Sequence, residues 1–235
     1  MSDAPAARLD VARVLKRAAM ALWADGPAIL VAGVLLVLLP AALGRDVAQG
    51  SGLDTVLLTL RGVGAMLFVA LVSAGTVARW RGQPLPPPLF LRTGFAAAQP
   101  GVQTGLVLAA AVVVGLIIQL FAQHGTLAGW LLDALLLSLG LGGASLLLPV
   151  VPAAVVERLS PRAAFARAAA LTEGNRNRVL GIVLLLALAL APLWAMAAGS
   201  AGAVGFWALT LVELAGFSLA AVTSAAVYAG LTESA

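Results

Sequence analysis

The sequence predicts an all-α, polytopic helical membrane protein with six transmembrane helices and three in-plane amphipathic helices. Three observations lead there. Of 235 residues, 62% are hydrophobic and 10% charged, with a mean hydropathy of +1.05, whereas a soluble domain carries about 25% charged residues. Six apolar runs, at about 27–44, 55–78, 102–122, 128–154, 179–198 and 204–230, reach or approach the roughly 20 residues that span a bilayer as a helix. The connections between them alternate between short, nearly uncharged gaps and long, basic ones.

The first run, "AILVAGVLLVLLPAALG", follows a basic region and ends in small residues, the outline of a secretory signal peptide. It is read as a span because the segment before it carries Asp3, Asp10 and Asp25 and has a helical pattern of its own. There Val11, Val14, Leu15, Ala18 and Leu22 share one face, with Asp10, Arg13, Lys16 and Arg17 opposite. That is an amphipathic helix suited to the membrane interface. The second amphipathic segment, "PPPLFLRTGFAAAQPG", precedes the third run and is bracketed by Pro88 and Pro100. The third precedes the fifth run, with Ser160 as N-cap, Pro161 at the first helical position, Gly174 as stop and Ala164, Phe165, Ala168 and Leu171 on one face. No run is broken at its centre by paired Gly and Pro, Pro192 lying near one end of the fifth.

Arg45 is the one basic residue in the gaps after the first, third and fifth runs, whereas the N-terminal segment and the other two gaps hold Arg8, Arg13, Lys16, Arg17, Arg79, Arg81, Arg92, Arg158, Arg162, Arg167, Arg176 and Arg178. Lys and Arg in short loops are retained on the cytoplasmic side. The expected setting is therefore a bacterial inner membrane, with both termini and both long loops cytoplasmic. Trp23 and Trp80 fall at predicted inner boundaries, and Trp130, Trp194 and Trp207 near outer ones, as interfacial indoles should.

The chain reads as one membrane domain over 1–235, with an internal period. Arg17, Arg92 and Arg167 are spaced by 75 residues, as are Leu15, Phe90 and Phe165, while Ser73, Ala74 and Val77 match Thr223, Ser224 and Val227 at 150. The period predicts three units, 8–80, 83–155 and 158–230, each an amphipathic helix followed by a transmembrane hairpin.

"PAAVVERLSPRAAFARAAALTEGNRNRVLGIVLLL" resembles the pattern of the bacterial glycerophosphoryl diester phosphodiesterase membrane domain and its relatives. The resemblance lies in Pro152 and Glu157 closing the fourth run, the Ala/Arg helix Arg162 to Ala170, Leu171, Thr172 and Gly174, and the basic lead into the fifth run; Arg81, Gly82, Ala226, Val227 and Tyr228 are similar too. This chain departs from the family where Ala168 or Ala169 replaces a Ser and where an aromatic is missing near Asn177. Some members carry a separate phosphodiesterase barrel, for which this chain has no room. The resemblance implies a polytopic helical fold and a membrane address, not a catalytic site.

Few residues offer chemistry. The net charge of +4 and pI near 11.0 come from interhelical basic residues rather than a polar domain, so nucleic acid is not an expected partner. The chain has no cysteine, which excludes disulfides and thiol chemistry. Arg61, Asp133 and Glu213 fall inside predicted spans, where a charge is costly unless it faces the bundle interior and is paired. Gly64 and Ala65, Gly140 and Ala144, and Gly216 and Ala220 share their helical stripes, which points those charges inward. They are read either as an ion, proton or anionic-substrate site, or as a structural ion pair or side chains snorkelling to the outer headgroups. Arg158, Arg162, Arg167, Arg176 and Arg178 are candidates for lipid phosphate or an acidic partner, Arg being suited to bidentate phosphate contact. His124 stands alone in a loop, and "GLGGAS" (Gly140 to Ser145) lies inside an apolar run with no strand before it, so neither a metal site nor a phosphate loop is expected. The expected function is a non-enzymatic membrane protein, without cofactor, that binds membrane lipids or another envelope protein. A transporter or channel component using Arg61, Asp133 and Glu213 is the alternative.

Overall fold

The computed structural model describes residues 8–47, 51–83, 85–120 and 126–233. These form helices and no strands, and six stretches are long and apolar enough to cross a membrane: Gly26–Gly44, Gly52–Trp80, Pro87–Gly115, Leu127–Glu157, Arg176–Ala198 and Gly202–Glu233. The fold is the all-helical polytopic one that composition and periodicity predict.

Helix α1 (Val11–Ala24) starts where the Asp10 carboxylate accepts the Arg13 N–H at 3.1 Å. The first span follows as α2 (Gly26–Gly33), a π-helical turn (Val34–Leu38) and α3 (Leu39–Gly44). Pro40 accounts for the widened turn, since it has no N–H to return to Leu36 and its ring crowds that carbonyl. The second span is α4 (Gly52–Trp80), N-capped by Ser51. The third is α5 (Pro87–Leu120), and the fourth is divided into α6 (Leu127–Leu147) and α7 (Val150–Glu157). Then come α8 (Pro161–Thr172), α9 (Arg176–Ala198) and α10 (Gly202–Glu233).

The structure departs from the sequence-based expectation at two places. The second amphipathic segment is not a separate in-plane helix: it forms the first turns of α5, and Pro100 sits inside that helix. Gly75, Gly94 and Gly105 let α4 and this segment close on one another, against Phe90, Leu71 and Met66 respectively, so packing holds both sides of Pro100 in one rod. The fourth run is interrupted at Leu148–Pro149, about two thirds of the way along. Pro149 and Pro152 lack the N–H groups that would continue the ladder. The Ser224 hydroxyl on α10 donates to the Leu148 carbonyl that Pro152 leaves unpaired.

Burial is concentrated at one end of the bundle. There α4, α7 and α10 pack together through Phe68, Leu71, Val72, Val150, Ala153, Val222 and Ala226. Around them α1 lies against α10, α5 against α4 and α7, and α8 against α7. Arg17 Nη1 reaches both Glu233 carboxylate oxygens at 2.9 and 2.8 Å, which places the two ends of the described chain together. This end is the terminal face. Toward the opposite end α6 and α9 expose Leu131, Leu135, Leu188, Leu193 and Trp194, the apolar surface expected of helices facing lipid.

Candidate functional site

The strongest polar constellation is a cleft at the start of α9. Gly174, in the left-handed region at φ 77°, reverses the chain after α8, and Asn175 takes the N-cap position of α9 without capping it. Its side chain is engaged elsewhere: Asn175 Oδ1 accepts the Leu9 N–H at 2.9 Å, while Arg178 Nη1 donates to the Leu9 carbonyl. Leu9 and Asn175 are buried. Clamping Leu9 on both sides brings its neighbour Arg8 to the N-terminus of α9. The result is a cleft of about 520 Å3 lined by Arg8, Glu173, Gly174, Arg176, Asn177 and Arg178.

Its electrostatics favour an anion. Three guanidinium groups face a single carboxylate, Glu173. The first N–H groups of α9 have no intrahelical acceptors, and the aligned peptide dipoles put partial positive charge at that end. Arg8 and Arg176 form no ion pair among the described residues and are exposed.

The other predicted arginines lie apart from this cleft. Arg167 Nε donates to both oxygens of Glu157 at 3.0 and 3.1 Å, and the same carboxylate accepts the Tyr228 hydroxyl at 2.8 Å. Arg158 closes α7 in the left-handed region at φ 54°, and Arg162 is exposed on α8. Of the five arginines singled out from sequence, the structure therefore brings Arg176 and Arg178 together. It adds Arg8, which sequence reasoning counted toward sidedness alone; the contact that recruits it spans 166 positions.

The three intramembrane charges divide. Arg61 on α4 and Glu213 on α10 form an ion pair, each about one third exposed or less. Asp133 stands on α6, which packs chiefly against α9, and is not part of that pair. A cavity of about 90 Å3 beside Arg61 is lined by Asp54, Leu57, Leu58 and Phe206 among others, and Arg45 lies 5.8 Å from the Phe206 ring centre. Gly140, Gly142 and Gly143 are helical within α6. His124 falls outside the described residues, among which no cluster of metal-ligating side chains occurs. At the core of the terminal end, the hydroxyls of Ser73, Thr76 and Thr223 are buried without a hydrogen-bond partner among the described residues. The sequence marked Ser73 and Thr223 as equivalent positions, with no sign that both would be enclosed.

No protein-family model, curated protein or solved structure matches this chain. What the cleft can do follows from its own chemistry. A concave, cationic, partly preorganised site beside a membrane-crossing helix suits a phosphate-bearing group presented at the bilayer surface.

Proposed function

We propose that the chain is a non-enzymatic integral membrane module that binds anionic lipid from the cytoplasmic leaflet of a bacterial inner membrane. The observation that carries this reading is the Arg8, Arg176 and Arg178 cleft at the uncapped start of α9. The orientation is supported by charge: Arg45 and Arg61 apart, every Lys and Arg belongs to the terminal segment or to the loops and helix ends associated with it. The short motifs shared with the glycerophosphoryl diester phosphodiesterase membrane domain are in keeping with such a module.

Copurification tests the reading. Protein extracted in mild detergent should retain anionic lipid in native mass spectra, and the Arg8→Ala, Arg176→Ala double variant should lose most of it. Among the described residues neither side chain forms an ion pair or a hydrogen bond within the fold, so the variant should melt like the parent. Undiminished lipid retention in the variant, or capture of a protein instead of lipid, would overturn the proposal.

The three-unit reading is part of the same proposal. It is supported by the order of packing, in which the leading helix of each unit rests on the second hairpin helix of the unit before: α5 on α4, α8 on α7, and α1 on α10. The acids follow suit, Arg167 meeting Glu157 and Arg17 meeting Glu233.

A further inference from the structure

Resting on the lipid-binding reading, we infer that the α9 cleft selects a phosphomonoester headgroup, that of phosphatidic acid, over the phosphodiester headgroups of other anionic lipids. Charge is the first reason. Arg8, Arg176 and Arg178 against Glu173 leave a surplus of two positive charges in one cleft. A phosphomonoester near neutral pH carries about −1.5 to −2 and three terminal acceptor oxygens, whereas a diester carries a single negative charge. The monoester neutralises the surplus, and the diester leaves half of it in place.

Donor geometry is the second reason. Arg178 is already fixed by its bond to the Leu9 carbonyl, which leaves other N–H groups of its five-donor fork free and prearranged. Arg176 and Asn177 open α9, so their backbone N–H groups lack intrahelical acceptors and lie beside the same cleft. Arg8 approaches from another segment of chain. Donors thus converge from separate directions, as three terminal oxygens require.

A lipid-borne phosphate fits better than a free one because an apolar groove of about 490 Å3 lies farther along the same helix. Leu22 of α1, Ile29 of α2, Leu190 and Leu193 of α9, and Leu211 and Leu219 of α10 line it. From Arg178 to Ala189, the first α9 residue of that groove, the path is about 16 Å at about 1.5 Å per residue. An acyl chain attached to a phosphate in the cleft can cover that distance.

The experiment measures displacement of a fluorescent phosphatidic acid from the purified full chain in mild detergent. Competitors are unlabelled phosphatidic acid, phosphatidylglycerol, glycerol 3-phosphate and inorganic phosphate. Phosphatidic acid should compete at least about fivefold better than phosphatidylglycerol, and Arg8→Ala and Arg176→Ala should each weaken it about fivefold, the factor expected for one surface arginine. Glu173→Gln, an exposed change, raises the surplus charge of the cleft and should strengthen both lipids, phosphatidic acid more than phosphatidylglycerol, so that the preference widens. Equal competition by the two lipids would overturn the selectivity while leaving lipid binding intact. Equal competition by glycerol 3-phosphate or inorganic phosphate would overturn the acyl-groove half of the inference. No displaceable binding of any lipid would overturn both this inference and the lipid-binding reading.

Discussion

Asp25 and Thr76 are both buried polar side chains near the terminal face, and they behave oppositely because of what surrounds them. Asp25, with 2% of its side chain exposed, accepts Arg79 Nε at 2.9 and 2.8 Å and a further bond from Nη2. It joins α1 and α2 to the end of α4. Removing one member of such a pair strands the other charge, so Asp25→Ala should cost about 3 kcal/mol or more, read as a lowered melting temperature in detergent. Thr76 is fully buried, its hydroxyl without a partner among the described residues. Its isostere Val keeps the volume and removes the unsatisfied group, whose burial costs about 1–3 kcal/mol, so Thr76→Val should melt at or above the parent temperature. A fall would show that the hydroxyl has a bound partner. The cleft follows the same logic of pairing: Arg176 and Arg178 were legible in the sequence as members of an arginine cluster suited to phosphate, whereas Arg8 was not, because Leu9 reaches Asn175 through folding rather than through local pattern.

At the scale of elements, proline and glycine decide how the spans meet. Pro40 leaves the Leu36 carbonyl without its usual donor, and α4 approaches that carbonyl at Gly64, where a Cβ would overlap it. The π-helical turn and the glycine on the facing helix therefore form one feature. Gly64→Ala should destabilise the bundle by about 1–3 kcal/mol through overpacking. Gly62→Ala, with open space at the same helix's surface, should gain about 0.5–1 kcal/mol from helix propensity. Thermal melting of the two variants should move in opposite directions, and a Gly64→Ala variant as stable as the parent would mean that α4 does not approach the Leu36 carbonyl closely. The spans themselves were legible because lipid requires long uninterrupted apolar helices. Their interruptions and fusions were not, since Pro100 reads locally as a helix boundary and becomes interior only when Gly94 and Gly105 bring α5 onto α4.

For the molecule as a whole, packing and charge are concentrated at the same end. The buried centres of α4, α7 and α10, the Asp25–Arg79 and Arg17–Glu233 pairs and the α9 cleft all belong to the terminal face, while the far ends of α6 and α9 present leucines outward. A bundle clamped at one end needs its clamp, with its many guanidinium groups, on the side where basic residues are retained. This predicts sidedness directly, and the chain suits the measurement because it contains no cysteine. Arg162→Cys places a thiol on an exposed position of α8, and Ser200→Cys places one on the exposed α9–α10 connection at the far end. In intact cells a membrane-impermeant maleimide should label Cys at position 200 and spare Cys at position 162 until the membrane is opened. The reverse pattern would turn the molecule over and set the cleft against the wrong leaflet. Labelling of both before permeabilisation would mean that the six apolar stretches do not separate the two ends, and the membrane assignment itself would fall.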